Sequence, residues 1–300
     1  MTSRNPPAAA TKALSTTFEP VRDWVAAQIR SRVVGDEPDA KAHAIMAAPG
    51  QRWFPDDHSI RTIHSDASMF VGGLRALLLQ SLHPLAMAGV AQHSDYRSDA
   101  WGRLQRTADF LAATTFGPAP AAEQAIETVR AVHQRVRGTA SDGRPYSAND
   151  PHLLRWVHVC EVDSFLAAYR RYGSAPLGPA QADQYVADMA VIARKLGVFE
   201  PPTTVAEVRL ELRDFRPEMV STPEAREAAR FLLFEPPLPL AARAPYAMLA
   251  AAAVALLPAW TRWPLRLPLL PVSEALLVRP AGRAITEVIR WSLAPRSSAV

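Results

Sequence analysis

The stretch SDASMFVGGLRALLLQSL, residues 65–82, contains only two charged residues, Asp66 and Arg75. Its large apolar side chains fall on nearly every side of a helix instead of on one face: Met69, Phe70, Leu74, Leu77, Leu78 and Leu82. A helix that is apolar all round is typical of a protein interior, because no face of it suits water. The stretch therefore predicts a central, buried helix around which other elements pack.

On either side of this helix, apolar residues recur at helical spacing and strand signals are nearly absent. Asp150 before a proline, and Thr204 ahead of Glu207, are typical of helix starts. Gly138 and Gly173 are placed like C-terminal caps of helices. The sequence predicts an all-α fold with a proline-broken C-terminal third and helices at roughly 19–33, 38–48, 65–82, 84–92, 99–115, 120–137, 150–171, 179–196, 203–219, 223–234, 243–257 and 272–292.

The composition indicates a globular protein and argues against several kinds of site. Of the 300 residues, 49% are hydrophobic and 21% are charged, as in soluble globular domains. Cys160 is the single cysteine, which excludes an internal disulfide and any zinc site built on two thiolates of one chain. The sequence has neither a G-x-G-x-x-G motif nor a P-loop motif. The net charge is only +4 and the arginines are scattered among acids, which argues against nucleic-acid binding.

The two ends of the chain differ in character. Residues 1–15 combine polar, proline and small residues, so we expect a disordered leader, followed by a single domain over 16–300. The leader lacks the apolar core of a secretory signal, and the cytoplasm is the expected location. The most apolar run, 247–257, is shorter than the about 20 residues that cross a bilayer, and we interpret it as a buried helix. The tryptophans and prolines of 244–278 leave a peripheral membrane contact open.

Among the eight histidines, His133 has the context most typical of a ligand. In the predicted helix 120–137 it follows Ile126 and Val129 and precedes Val136 at helical spacing, so it lies on the apolar face. One interpretation is a hydrogen-bonded core histidine. The other is a neutral imidazole that binds haem iron from an apolar pocket.

His158 and Glu161 are three residues apart on one predicted helix, a spacing found in carboxylate di-metal sites. Such sites need a second His-x-x-Glu pair, and the sequence has none. Cys160 lies among apolar neighbours and is expected to be an inert core thiol. We interpret the remaining histidines as solvated side chains or helix caps: His43, His58, His64, His83, His93 and His152.

The predicted helix 99–115 presents Arg103, Arg106 and Thr107 together, because positions i, i+3 and i+4 lie on one face. Two arginines on a helix are most often a solvated face. The alternative is a stripe that binds carboxylates or polarises oxygen beside a buried pocket.

Four blocks of the chain, in the same order, resemble the MpaB-like oxygenase family, which includes the rubber oxygenases and the catalytic domain of latex clearing protein. The longest block is QSLHPLAMAGVAQHSDYRSDAWGRLQRTADFLAATTFG at 80–117. It is followed by VRAVHQRVRG at 129–138, YSANDPHLLRWVHVCEVDSFLAAYRRYG at 146–173 and KLGVFEPPTTVAEV at 195–208. The resemblance covers about 65–235.

The resemblance implies a single globin-like bundle of about ten to twelve helices that binds b-type haem through one histidine, which carries over onto His133. The family's distal Arg-x-x-Lys-Thr run matches Arg103, Arg106 and Thr107, with arginine in place of lysine at Arg106. This exchange keeps the positive charge but replaces a titratable ammonium with a guanidinium that stays protonated. These three residues would stabilise negative charge that develops on oxygen, and Arg103 and His158 would contact the cofactor. The family's distal glutamate has no counterpart in 80–100.

The rubber oxygenases of this family cleave carbon–carbon double bonds of polyisoprene with dioxygen, and a fungal relative oxidatively cleaves a prenyl side chain. The resemblance therefore implies a b-type haem-dependent oxygenase acting on an apolar small molecule that is isoprenoid or contains an alkene, with dioxygen as its second reactant. Two alternatives stay open. One is a haem carrier or sensor without turnover, and the other is a non-haem metal oxidase that uses His133, His158 and Glu161.

Overall fold

Most helices begin where the sequence places a proline or a capping side chain. The computed structural model describes residues 8–35, 40, 45 and 47–294, with side chains from residue 19 onward. Asp150 accepts a hydrogen bond from the His152 amide (2.9 Å), and Thr204 and Glu207 form the predicted capping box. The helices are α1 (Ala8–Val33), α2 (Ser59–His64), α3 (Met69–Gln80), α4 (Pro84–His93), α5 (Ala100–Phe116), α6 (Ala119–His133), α7 (Pro151–Tyr172), α8 (Pro179–Leu196), α9 (Val205–Asp214), α10 (Pro223–Phe234), α11 (Leu240–Leu256), α12 (Ala259–Arg262), α13 (Pro271–Ser273) and α14 (Arg279–Leu293).

The all-α prediction is confirmed, and α3 is the central helix that its composition predicts. It packs most extensively against α7, and its other neighbours include α11 and α10. The approach to α7 is close, since a Cβ on Gly72 would lie 2.7 Å from the Cδ1 atom of Phe165. Val71, Leu78 and Leu79 of α3 have no exposed surface. The globin-like arrangement stays a prediction.

The structure corrects the prediction that one helix runs through 120–137. Helix α6 ends at His133, and the chain then forms an antiparallel hairpin of β1 (Arg137–Thr139) and β2 (Pro145–Ser147). Gly138 is therefore a strand residue paired with Tyr146, not a helix cap, and a Cβ on it would lie 2.6 Å from the Tyr146 hydroxyl oxygen. The hairpin forms because Tyr146, with Val136 before it, packs against the apolar side chains of α4.

Other boundaries differ from the prediction by smaller amounts. Helix α2 is not predicted, and the predicted helix 203–219 ends at Asp214, after which a 3-10 turn spans Arg216–Glu218. Helix α1 begins at Ala8, inside the segment expected to be a leader. Residues 1–7 and most of the predicted helix 38–48 lie outside the described residues.

The C-terminal third folds onto the central helices. Helix α11, which includes residues 247–256 of the apolar run, packs against α3 and α14. A π-helical segment, Glu274–Val278, joins α13 to α14. Glu274 forms a buried ion pair with Arg262 of α12, which fixes the proline-broken connection between them. Among the described residues no single helix is long and apolar enough to span a membrane. Taken together, α3 and α4 have the length and composition of a span, but the chain bends by 107° between them.

Candidate functional site

Helices α5, α6 and α7 carry all the site residues that the sequence predicts. Helix α6 packs along α5, and α7 lies between α3 and α8. Helix α5 begins at a fixed point because the Asp99 side chain accepts a hydrogen bond from the Gly102 amide (3.1 Å). The predicted basic face and His133 therefore lie on two helices in contact, α5 and α6, whereas His158 and Glu161 lie on α7, which packs mainly against α3 and α8.

His133 is the last residue of α6 and is half-buried. Its Nδ1 atom is buried and has no hydrogen-bond partner among the described residues. Burial lowers the pKa of the imidazole, because the charged form would lose its hydration. His133 is therefore a neutral imidazole with an unused ring nitrogen, as a metal ligand must be before it binds.

His158 lies in the middle of α7 and is buried. Its Nε2 atom has no hydrogen-bond partner in the described part of the chain. Burial, together with the nearby charges of Arg155 and Arg194, lowers the pKa of His158 to about 3. One turn later, burial raises the pKa of the Glu161 carboxyl to about 7. His158 is therefore neutral, and the carboxyl of Glu161 changes its protonation state near neutral pH.

A third histidine, His64, faces this interior, which corrects the prediction of a solvated side chain or helix cap. Its Nδ1 lies 2.8 Å from Thr115 Oγ1 at the end of α5, and its Nε2 lies 3.2 Å from the Tyr185 hydroxyl of α8. The ring also meets Phe165 of α7 edge-on at 5.5 Å. Burial lowers the pKa of His64 to about 3. His64 thus joins four helices through its ring.

The interior face of α7 is defined by these contacts. His158, Glu161 and Phe165 follow one another at i, i+3 and i+7, so they lie on the same side of the helix. Glu161 is also close enough to Tyr185 to raise the pKa of that phenol, although burial is the larger cause. This side of α7 therefore gathers polar groups that have few partners within an otherwise apolar core.

The three predicted residues of α5 do not share one environment. Arg103 is half-buried, its guanidinium donates to the Ser94 hydroxyl, and burial lowers its pKa. Arg106 points outward, with its side chain 68% exposed and 3.0 Å from Asp99. The Thr107 hydroxyl is exposed and donates to the Arg103 carbonyl oxygen (3.0 Å). Among described residues, no hydrogen bond joins any of the three to His133 or His158.

A comparison with protein families gives one match, to the family described as ER-bound oxygenase mpaB/B′/rubber oxygenase, catalytic domain, over residues 61–291. The chain belongs to this oxygenase family. The match extends well beyond residue 235, the expected end of the resemblance, and it includes α11 to α13 and most of α14. Comparisons with curated proteins and with solved structures give no match.

Membership of the oxygenase family makes the protein an oxidoreductase with dioxygen and a further substrate as its reactants. It also suggests a metal cofactor. Neutral imidazoles suit such a cofactor, and α6 and α7 each supply one in this oxygenase.

Proposed function

We propose that this oxygenase depends on b-type haem and acts on an apolar, alkene-containing or isoprenoid small molecule in the cytoplasm. The observation that carries the proposal is the buried, unpartnered Nδ1 of His133. A buried polar atom without a partner costs about 1–3 kcal/mol, so its retention favours a ligand that satisfies it. Binding to iron uses one ring nitrogen and leaves the other to a hydrogen-bond acceptor.

The other residues fit haem in their chemistry. His158 offers a second neutral imidazole, and the buried guanidinium of Arg103 suits a propionate carboxylate or a developing negative charge on oxygen. Bound haem would supply iron that activates dioxygen. The protein's part would be to hold the cofactor with His133, to present Arg103 and to exclude water with the apolar side chains around α7.

The alternative non-haem oxidase has less support. Among the described residues, His133, His158 and Glu161 belong to no group of three potential ligands whose donor atoms lie within 4.8 Å of one another. In addition, a carboxyl with a pKa of about 7 is a poorer metal ligand at neutral pH than an ionised one. Oxygen uptake in the presence of an apolar alkene distinguishes the two remaining alternatives, because an enzyme would consume oxygen and a haem carrier would not.

The absorption spectrum of the protein reconstituted with haem tests the proposal. We expect an intense Soret band and an imidazole-ligated spectrum. His133→Ala should lose the haem or the imidazole signature, while the matched variant His158→Ala should keep the signature with weaker haem binding. The reverse result would move the iron ligand to His158. The absence of haem from the parent protein after reconstitution would contradict the proposal itself.

Arg103 and Arg106 form a matched pair of variants on one helix. Arg103→Ala removes the buried guanidinium and should lower turnover on the order of 10²-fold, as loss of one charge-stabilising donor does. Arg106→Ala removes a solvent-exposed guanidinium and should leave turnover near the parent value. The measurement is oxygen uptake with an apolar alkene, with circular dichroism as the folding control. Equal turnover for the two variants would contradict a role for Arg103 in oxygen chemistry.

A peripheral membrane contact is the second part of the proposal, and it rests on the surface of 263–279. Trp263, Leu276 and Leu277 are 90%, 70% and 69% exposed. Arg266 and Arg279 are exposed in the same segment. The only acid between 236 and 286 is Glu274, and its charge is neutralised inside the protein by Arg262. An apolar surface with arginines and no exposed acid fits an anionic lipid surface.

Sedimentation with lipid vesicles tests this contact. We expect binding to vesicles that contain phosphatidylglycerol and much weaker binding to pure phosphatidylcholine. The double variant Leu276→Ser/Leu277→Ser should lose binding, whereas Leu210→Ser, which changes an exposed leucine of α9, should keep it. Failure of the parent protein to bind either vesicle, or equal binding by the double variant, would contradict the proposal.

A further inference from the structure

A second group of metal-ligating side chains lies apart from His133 and His158. It consists of His83, between α3 and α4, His152, in the first turn of α7, and Glu218, in the 3-10 turn. One potential donor atom from each residue lies within 4.8 Å of the other two. His152 Nε2 is 3.0 and 2.8 Å from the two Glu218 oxygens, and His83 Nε2 is 3.4 Å from Glu218 Oε2.

His83 is the least expected member of this group. Its side chain is 1% exposed, yet its Nε2 atom has no hydrogen-bond partner among the described residues and faces Glu218. Burial is the largest cause that lowers its pKa, so the imidazole is neutral and can offer a lone pair. Nδ1 accepts from the Ala86 amide at 3.5 Å, the outer limit of a hydrogen bond. For Nε2 to bind an ion, the ring proton must move to Nδ1, which loses only this weak hydrogen bond.

The surrounding structure holds the three residues in place. The Val220 amide donates to the Leu82 carbonyl oxygen (2.9 Å), which attaches the chain after Glu218 to the residue before His83. The His152 ring packs on Phe215 with 4.7 Å between ring centroids. The backbone segments that carry His83 and Glu218, and the ring of His152, are thus held together by contacts that do not use the ligands' donor atoms.

We propose that His83, His152 and Glu218 bind one divalent transition-metal ion of the Zn²⁺ class. Two imidazoles and one carboxylate are a donor set found for Zn²⁺, with the fourth position left to water. Donors that are 2.0–2.1 Å from one tetrahedral ion lie about 3.4 Å apart. The distance between His83 and Glu218 already has this value.

To surround one ion, the side chains of His152 and Glu218 must change position slightly, and both are accessible. The side chains of His152 and Glu218 are 51% and 39% exposed, so they can rotate toward the buried nitrogen of His83. The charge of Arg144 also lowers the pKa of His83, while Glu218 raises it, and Asp142 offsets the Arg144 charge at 2.7 Å. Metal binding at this site would connect three segments that are far apart in the sequence, so we expect it to stabilise the fold.

Calorimetric titration of the full-length protein with ZnCl₂, with and without added haem, tests the site. We expect one Zn²⁺ per chain, and His152→Ala and Glu218→Gln should each weaken binding by more than the roughly 10–100-fold that loss of an outer-shell partner costs. His93→Ala, which removes an exposed histidine outside the group, should bind Zn²⁺ like the parent. Titration with Co²⁺ should give the visible bands of tetrahedral coordination in the parent and not in the two ligand variants.

Two outcomes would overturn the proposal: no stoichiometric Zn²⁺ binding by the parent, or unchanged binding in His152→Ala and Glu218→Gln. Both variants change accessible side chains, so they should fold, which circular dichroism would check. His133→Ala should bind Zn²⁺ normally whether or not it has lost haem. The metal site and the haem proposal therefore fail independently.

Discussion

Glu161 is a carboxyl whose protonation is coupled to folding. Burial raises its pKa from 4.5 to about 7, so the haem-free folded state holds a proton that the unfolded state releases. Below pH 4.5 the carboxyl is protonated in both the folded and the unfolded protein. As the pH rises from 4.5 through 7, folding must keep this proton bound or bury the ionised carboxylate, so the folded protein loses stability. Glu161→Gln should match the parent near pH 4.5 and should exceed it in unfolding free energy above pH 7, on the order of 3 kcal/mol.

Urea unfolding of the two proteins at several pH values between 5 and 8 measures this difference. His64 and His158, with pKa values lowered to about 3, make both proteins less stable as the pH falls below 6.5. That effect cancels when the variant is compared with the parent. A difference that does not change with pH would show that the Glu161 carboxyl has an ordinary pKa in the folded protein.

At the scale of single residues, the sequence predicts burial best where helical spacing determines it. His158 could be assigned to a buried face because its own helix carries the pattern, whereas the pattern used for His133 included Val136, which lies beyond the end of α6. His64 could not, since its partners Thr115 and Tyr185 are 51 and 121 residues away. Glu218 was missed for the same reason, because its two histidines come from elements that only the tertiary fold brings together.

Among the secondary-structure elements, two adjacent glycines of α3 should respond oppositely to alanine. Gly72→Ala puts a Cβ 2.7 Å from Phe165 Cδ1 and 3.1 Å from its Cα, so it should separate α3 from α7 at a cost of about 1–3 kcal/mol. Gly73 has nothing within 4 Å of its Cβ position. Gly73→Ala should therefore stabilise the helix by about 1 kcal/mol. Thermal unfolding of the two variants checks both signs, and stabilisation by Gly72→Ala would contradict the close packing.

The ion pair between Arg262 and Glu274 should be the most sensitive contact of the C-terminal third. Both residues are buried, so Glu274→Ala leaves the Arg262 charge unpaired and should cost about 3–5 kcal/mol in unfolding free energy. The control is Glu287→Ala on α14, an exposed partner of Arg290, which should cost less than about 1 kcal/mol. Similar losses in the two variants, measured by urea unfolding, would show that burial adds nothing to the Arg262 pair.

The elements that the sequence fails to predict are short ones. Helix α2 has six residues and each strand of the hairpin has three, which is too few for a period to show. The long helices α3, α5, α7 and α8 are predicted with boundaries that differ by a few residues, because each has several turns of periodic side chains. The hairpin depends on Tyr146 and Val136 reaching α4, a contact that no local pattern contains.

At the scale of the whole molecule, Cys160 should report global unfolding. It has no exposed surface and lies on α7, in the centre of the fold, and burial raises the pKa of its thiol well above the usual value. A soluble thiol reagent should therefore react slowly with the native protein and at a rate that follows unfolding as urea is added. Rapid stoichiometric labelling without urea would show that α7 opens locally.

The burial of Cys160 has a practical consequence for experiments on the surface of 263–279. Because Cys160 is the only cysteine of the chain, the native exterior offers no sulfhydryl to a maleimide or a nitroxide reagent. A single cysteine introduced by Leu277→Cys would then carry the only spin label, and Leu210→Cys would carry one on α9. Paramagnetic resonance, with dissolved oxygen as the relaxing agent, would then measure how deep each label lies in the bilayer. The labelling would leave every native side chain of the core in place.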